Sequence, residues 1–177
     1  MQVRRVIAGV SGSAGSLQAL RFADAMAREN DALLVPVLAW VPPGGDMADR
    51  RYPNAALRTA WKQAAWDRLW RAVDLAIGGP PVDARNFAPE IVRGEAGQVL
   101  TLTATKPGDV LVIGAGRQGG MRRMACRISR YCVGNAVCPV ISVPPARLEA
   151  ETHGLHRWIL RHRLQPEDAG LGVSGAS

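Results

Sequence analysis

Apolar and polar positions along this chain follow two periods, which together predict an α/β fold. Short runs rich in Val, Ile and Leu predict buried strands, and apolar residues spaced three or four apart predict amphipathic helices between them. The expected strands are Val3–Val10, Leu33–Val41, Ala84–Val92, Val110–Ile113 and Pro139–Val143. The four expected helices are Leu17–Glu29, Ala55–Ile77, Gln98–Thr105 and Ala125–Ala136. This alternation of strands and helices predicts a parallel sheet covered on both faces.

Local signals mark the ends of these elements. SGSAGS after the first strand supplies a turn and an N-cap, with Ser13 or Ser16 as the capping residue. Pro42–Tyr52 is expected to be a polar loop. Pro36 is compatible with the second strand if its position needs no ladder donor. The tryptophans of the longest helix are expected to pack in the core rather than form a ligand platform.

A length of 177 residues suits one domain, expected at residues 1–146, followed by a tail at 147–177. In the tail we expect Leu155–Leu164 to form a short amphipathic helix that docks on its own dimer or is mobile, and then disorder. The longest apolar stretch holds about a dozen residues, too few for a membrane span. The cysteines, at 126, 132 and 138, match no zinc spacing and suit small buried residues in a reducing cytoplasm. We therefore expect a cytoplasmic protein with no membrane partner.

The charge is strongly basic and unevenly placed. Residues 1–146 carry 18 Lys+Arg against 11 Asp+Glu, which accounts for the whole net charge of +7. Two of the 22 basic residues are lysine; this bias suits planar phosphate recognition and would equally follow from a genome rich in G and C. Nucleic-acid binding is not expected, because Tyr131 is the single aromatic residue among the arginines that follow Gly114.

The glycine-rich stretch after the fourth predicted strand, GAGRQGG, is the main candidate for chemistry. Glycines let backbone N–H groups approach a ligand, and the following helix start adds partial positive charge. No acidic residue lies between Asp109 and Glu149, although this stretch carries several arginines: Arg117, Arg122, Arg123, Arg127 and Arg130. Loops after the first and fourth strands should face one crevice, where the strand order reverses. A phosphate-bearing ligand is therefore the first hypothesis.

Two other function classes are disfavoured by the sequence. Gly114, Gly116 and Gly119 have the G-x-G-x-x-G spacing of dinucleotide sites, but that motif belongs after a first strand and not a fourth. Hydrolytic chemistry would lack its commonest general base, because the three histidines all lie in the tail. We expect no catalysis beyond slow ATP hydrolysis, with Asp109 and Ser11 as poor candidates for a catalyst, and no metal other than Mg²⁺ brought by ATP.

Across about residues 3–145 the chain resembles the universal stress protein family. The matching segments are VIAGVSGSAGSLQALRFA, LLVPVLAW, VRGEAGQVL, DVLVIGAGRQGG and SRYCVGNAVCPVISVP, in this order. The resemblance implies a doubly wound, five-stranded parallel sheet of flavodoxin-like order 3-2-1-4-5. It also implies a cytoplasmic homodimer formed by antiparallel pairing of the last strands, here Pro139–Val143. Many members bind ATP in the crevice, and others bind no nucleotide and act through partners.

The resemblance also implies which residues would bind the nucleotide. They are Gly9, Val10, Ser11, Gly12, Ser13, Ala39, Gly114, Gly116, Arg117, Gly119, Gly120, Arg127, Ile128 and Ser129. The chain departs from the family motif Gly-x2-Gly-x9-Gly-Ser/Thr, because Arg117 replaces the second glycine and Cys126-Arg127 replace Gly-Ser. A second register, Gly116-x2-Gly119-x9-Ser129, keeps the spacing.

Ser11 stands where the family usually has an aspartate. We expect arginine-based binding of ATP or another phosphate-bearing nucleotide in a non-catalytic regulatory domain. The alternative is a nucleotide-free protein of the same fold in which the arginines fill the phosphate volume. Such a protein would act through dimerisation and an unidentified protein partner.

Overall fold

The computed structural model describes residues 2–80, 84–115 and 122–144, apart from the side chains of 48, 84 and 122–126. These residues all belong to one compact unit, Met1–Ala146. Its strands are β1 (Arg5–Gly9), β2 (Leu33–Trp40), β3 (Glu90–Arg93), β4 (Asp109–Gly114) and β5 (Val140–Val143). Its α-helices are α1 (Ala14–Glu29), α2 (Gly45–Arg51), α3 (Ala55–Ile77), α4 (Ala96–Thr103) and α5 (Arg122–Asn135). The tail predicted at 147–177 lies outside the described residues.

The strands form one five-stranded sheet in the order β3-β2-β1-β4-β5, and every pairing is parallel. This result confirms the predicted fold class. β1 lies between β2 and β4, with Arg5 opposite both Leu33 and Asp109. The order reverses at β1, so the carboxyl ends of β1 and β4 flank the crevice of such sheets.

Successive residues of the central strands face opposite layers of helices. On one face, Val6 and Ala8 pack with buried side chains of α1 and α3, including Leu20 and Leu69. On the other face, Ile7 packs with residues of α4 and α5 such as Leu100 and Cys132. Burial on both faces explains why the central strands are continuous apolar runs.

α3 has the bounds that the sequence predicts, because both of its ends are fixed locally. The Asn54 side chain accepts a hydrogen bond from the Leu57 N–H at 3.0 Å, and Gly78 ends the helix at φ +76°. In the tryptophan-bearing part of α3, Leu69 and Val73 are fully buried, and Trp66 packs against the core. Trp70 keeps 37% exposure and contacts the Phe87 ring.

Pro36 is accommodated inside the sheet because its nitrogen needs no partner. The Leu33 N–H donates to β1, so alternation turns the Pro36 nitrogen toward β3. On that side Leu34 pairs with Phe87 in an isolated bridge, and regular pairing of β2 with β3 begins only at Val37. Pro36 therefore lies between the two pairings, where no backbone donor is needed, and this meets the condition for a proline in the second strand.

Two predicted elements are wrong in detail. The expected loop Pro42–Tyr52 contains the helix α2, so the described residues hold five α-helices and not four. The expected strand Ala84–Val92 is instead a 3-10 turn at Ala84–Asn86 followed by β3, with Pro89 directly before it. Ion pairs from distant residues stabilise α2, as described below. None of the helices in the described ranges is long and apolar enough to cross a membrane.

Candidate functional site

The turn between β1 and α1 is organised by three serine hydroxyls. The Ser11 N–H donates to Ser16 Oγ at 3.2 Å, and Ser16 Oγ donates to the Ser13 carbonyl at 2.9 Å. The Ser13 side chain accepts from the Ser16 N–H, which makes Ser13 the N-cap of α1. Its Oγ also lies 3.0 Å from Ser11 Oγ. Gly12, at φ +79°, lets the chain turn between them.

The end of β4 lies directly against this turn. A Cβ atom on Gly114 would stand 2.7 Å from both the carbonyl carbon and the oxygen of Gly15, in the first turn of α1. From the other side, Ser129 Oγ of α5 donates to the Gly114 carbonyl at 3.2 Å. The ends of β1 and β4 are therefore adjacent, and the close approach requires glycine at position 114.

The remaining predicted residues on β1 and β2 are packed within the sheet. A Cβ atom on Gly9 would lie 3.0 Å from Leu100 Cδ1, so this position is tightly packed. Val10 is buried, and its N–H donates to the Val37 carbonyl at 2.8 Å. Ala39, near the end of β2, is half-buried against the α4 face of the sheet.

The predicted α5 residues differ in accessibility. Arg127 is exposed, Ile128 keeps 38% exposure and Ser129 is half-buried. Four predicted residues lie outside the described ranges: Gly116, Arg117, Gly119 and Gly120. The segments 9–16 and 110–148 contain no acidic residue, so neither supplies a carboxylate that would repel an anion.

Sequence reasoning missed Gly15 as part of this geometry and named Ser16 only as a possible cap. Gly15 provides the backbone that Gly114 approaches, and the Ser16 hydroxyl binds the Ser11 N–H. The sequence does show that the first turn of this helix contains a small residue, Gly15. It does not show which residue packs against Gly15, because Gly114 lies almost 100 positions away.

Asp109 and two of the three cysteines lie in packed parts of the fold. Asp109 is buried and ion-paired with Arg5 at 2.6 Å. It is the first residue of β4 and so lies at the amino ends of the strands, opposite the crevice. Burial raises the pKa of the Cys132 and Cys138 thiols, and both pack in the core face that contains α4 and α5. The Cys126 side chain is outside the described residues. Within the part of the chain that the structure describes, no group of three or more His, Cys, Asp or Glu side chains could hold a metal ion.

The fold and this crevice define an α/β protein of the doubly wound class, with a glycine-lined junction where its strand order reverses. The sequence model of the universal stress protein family matches residues 2–144. The chain therefore belongs to the universal stress protein family. No curated protein gives a significant match.

Solved structures show the same fold. A universal stress protein in complex with cAMP is 21% identical, with a TM-score of 0.52 over 82% of this chain and 100% of the other. Universal stress protein UspA from Lactobacillus plantarum is 19% identical, with a TM-score of 0.54 over 81% and 99%. A hypothetical protein whose biochemical function was assigned from its structure is 12% identical, with a TM-score of 0.60 over 82% and 99%.

Proposed function

We propose that this chain is a non-catalytic stress-response protein that binds ATP or another phosphate-bearing nucleotide between the β1–α1 turn and the end of β4. The observation that carries the proposal is the close approach of Gly114 to the Gly15 backbone. It brings the start of α1, which carries the positive end of the helix dipole, against the end of β4. An anionic ligand fits such a junction.

Charge and the comparisons support the same ligand class. Arg127 is exposed on α5, the helix that follows the glycine-rich stretch, and the two segments that form the junction contain no acid. Ser11 in place of the family's usual aspartate removes a negative charge from the mouth of the crevice. One family member of the same fold has been solved in complex with cAMP. Mg²⁺ would enter with the phosphates of ATP.

One observation favours the alternative, a nucleotide-free protein that acts through protein partners in the cytoplasm. The Ser11 N–H is already bonded to Ser16 Oγ, and the Ser11 and Ser13 hydroxyls lie within hydrogen-bond distance of each other. The turn thus satisfies much of its own hydrogen bonding without a ligand. A nucleotide would have to bind through other backbone N–H groups and through arginine.

Isothermal titration with ATP, ADP and cAMP tests the proposal on the full chain. We expect Arg127→Ala to weaken ATP binding by roughly tenfold or more, because a charge-assisted contact to phosphate is lost. Arg68→Ala removes another exposed arginine, on α3, and serves as the matched control, with unchanged affinity expected.

Absence of heat with all three nucleotides, and no adenine absorbance in the supernatant of the boiled protein, would contradict nucleotide binding. That result would favour the nucleotide-free alternative. Equal losses in the two arginine variants would instead place the phosphates away from α5.

We also propose that two copies pair through β5. Among the described residues this strand lies at one end of the sheet and pairs with β4 on one side only. An unpaired strand edge is a template for a second strand. The antiparallel homodimer expected from the resemblance would use this edge.

A further inference from the structure

Ion pairs hold the helix α2 in place. Among its described side chains none is a buried apolar residue, and Met47 is 79% exposed. Asp49 is nevertheless buried, with its side chain 2% exposed. A seven-residue helix without a core face would be unstable alone. Its position therefore depends on what binds the aspartates.

Two arginines from two other elements bind these aspartates. Arg93, the last residue of β3, places Nη2 2.6 Å from Asp46 Oδ1 and 2.8 Å from Asp49 Oδ2. Arg58 of α3 donates from Nε to Asp49 Oδ1 at 2.8 Å and Oδ2 at 3.0 Å. Asp46, Asp49, Arg58 and Arg93 are called the α2 latch below.

Two glycines with left-handed backbone angles stand where the chain enters α2. Gly44 and Gly45 are consecutive and both have positive φ, +82° and +78°. Such backbone angles are favourable for glycine, and glycines at a hinge accommodate large changes of φ and ψ. The Gly45 N–H donates to the Pro42 carbonyl at 2.8 Å, so the closed arrangement contains a defined turn.

The α2 latch lies at the carboxyl edge of the sheet. α2 follows the carboxyl end of β2, and Arg93 is the last residue of β3. The latch therefore lies at the carboxyl ends of the strands, where the crevice also opens. β2 lies between β3 and β1, so the strand that leads into α2 is the neighbour of β1.

We propose that α2 is a hinged cover at the carboxyl ends of β2 and β3, which the α2 latch keeps closed and loss of the Asp49 charge releases. The closed cover slows exchange of a ligand at the β2 side of the crevice; this second part rests on the proposed nucleotide binding. Because two arginines share the nearly inaccessible Asp49, removing its charge loosens contacts to both α3 and β3 at once.

Hydrogen exchange measured by mass spectrometry tests the latch without a ligand. In Asp49→Asn, amides of residues 45–51 should exchange roughly tenfold faster, because the helix opens more often. Asp24→Asn is the matched control, because it breaks the Asp24–Arg28 pair on α1 and leaves α2 untouched. Wild-type protein in about 1 M NaCl should show a smaller acceleration confined to α2, because salt screens the exposed Arg93–Asp46 pair more strongly than the pairs of buried Asp49.

Unchanged exchange of residues 45–51 in both Asp49→Asn and high salt would overturn the proposal. The salt measurement decides the question alone if the variant fails to fold.

Stopped-flow release of ATP tests the second part. Dissociation should be several-fold faster from Asp49→Asn than from wild type, and unchanged in Asp24→Asn. Equal dissociation rates would overturn the cover role and leave the proposed function intact. No ATP binding in the wild type would overturn the proposed function and this second part together, whereas hydrogen exchange would still decide the latch.

Discussion

Asp109 is the most deeply buried of the described carboxylates, with a fully inaccessible side chain at the start of β4. Arg5 donates to it from Nε at 2.8 Å and from Nη2 at 2.6 Å, and the Lys106 N–H donates at 2.8 Å. Burial by itself would raise the pKa of Asp109. The hydrogen bonds from Arg5 and Lys106 outweigh burial, so this pKa lies below its ordinary value of 3.8.

The lowered pKa of Asp109 predicts a pH-dependent contribution to stability. The contribution is present above the unfolded-state pKa near 3.8 and is lost as the pH falls through the lower folded-state value. We expect Asp109→Asn to reduce the free energy of unfolding by about 3 kcal/mol at neutral pH, because Arg5 loses its buried partner. The difference should be smaller at acid pH than at neutral pH, because the wild-type carboxyl becomes protonated as the pH falls through its lowered folded-state pKa.

Urea denaturation at both pH values measures this difference for Asp109. Asp24→Asn serves as control: its partner Arg28 has a side chain 64% exposed, so a loss under about 1 kcal/mol is expected at neutral pH. A wild-type to Asp109→Asn difference that stayed constant between the two pH values would show that charge is not its origin.

Individual site residues were predictable where their role is local. The cap formed by Ser13 and the turn at Gly12 follow from residue type, because short polar side chains and glycine favour such geometry. The approach of Gly114 to Gly15 was not predictable, because it depends on how closely β4 packs beside α1. Gly114 was expected to bind a ligand, which stays a prediction, and the structure shows that it packs against Gly15.

At the scale of elements, the two helix starts of α3 and α4 differ in one testable respect. The Asn54 side chain bonds the Leu57 N–H at 3.0 Å, whereas Glu95 at the start of α4 makes no side-chain cap bond. Asn54→Ala should therefore cost about 1 kcal/mol of stability, and Glu95→Ala close to nothing. Chemical denaturation of both variants measures the difference; equal losses would show that the Asn54 bond contributes little.

Elements whose stability is encoded within their own residues were predicted, and those held by distant partners were not. α3 carries its own caps and an apolar stripe over 23 residues, so its bounds follow from sequence. α2 was missed because Arg58 and Arg93, outside the helix, bind its aspartates. β3 was overestimated because β2 pairs with Phe87 through an isolated bridge before the ladder resumes at Glu90.

At the scale of the whole molecule, periodicity predicted a parallel sheet with helices on both faces, because strands alternate with helices. The strand order came from the family resemblance, since several orders satisfy the same alternation. The order places β3 and β5 at the edges of the sheet. The Arg93 end of β3 is joined to α2 by ion pairs, which leaves β5 as the simpler edge for a second copy.

The backbone of β5 shows which position tests pairing of two copies. The Leu111 N–H donates to the Pro139 carbonyl and the Ala115 N–H to the Val143 carbonyl, so odd-numbered residues face β4. Ser142 therefore directs its N–H to the open edge, and its side chain is exposed. Proline at 142 would remove that donor without breaking the β4–β5 ladder, because proline is tolerated at sheet edges.

We expect Ser142→Pro to shift the protein from dimer to monomer, with the dissociation constant raised roughly tenfold or more by the lost pairing and the ring at the interface. Light scattering after size-exclusion chromatography, across a dilution series, measures the change. Ser142→Ala keeps the N–H and should remain dimeric, which separates a backbone effect from loss of the hydroxyl. If Ser142→Pro folds and stays a dimer at every dilution, the two copies associate through another surface, and the β5 edge is not their interface.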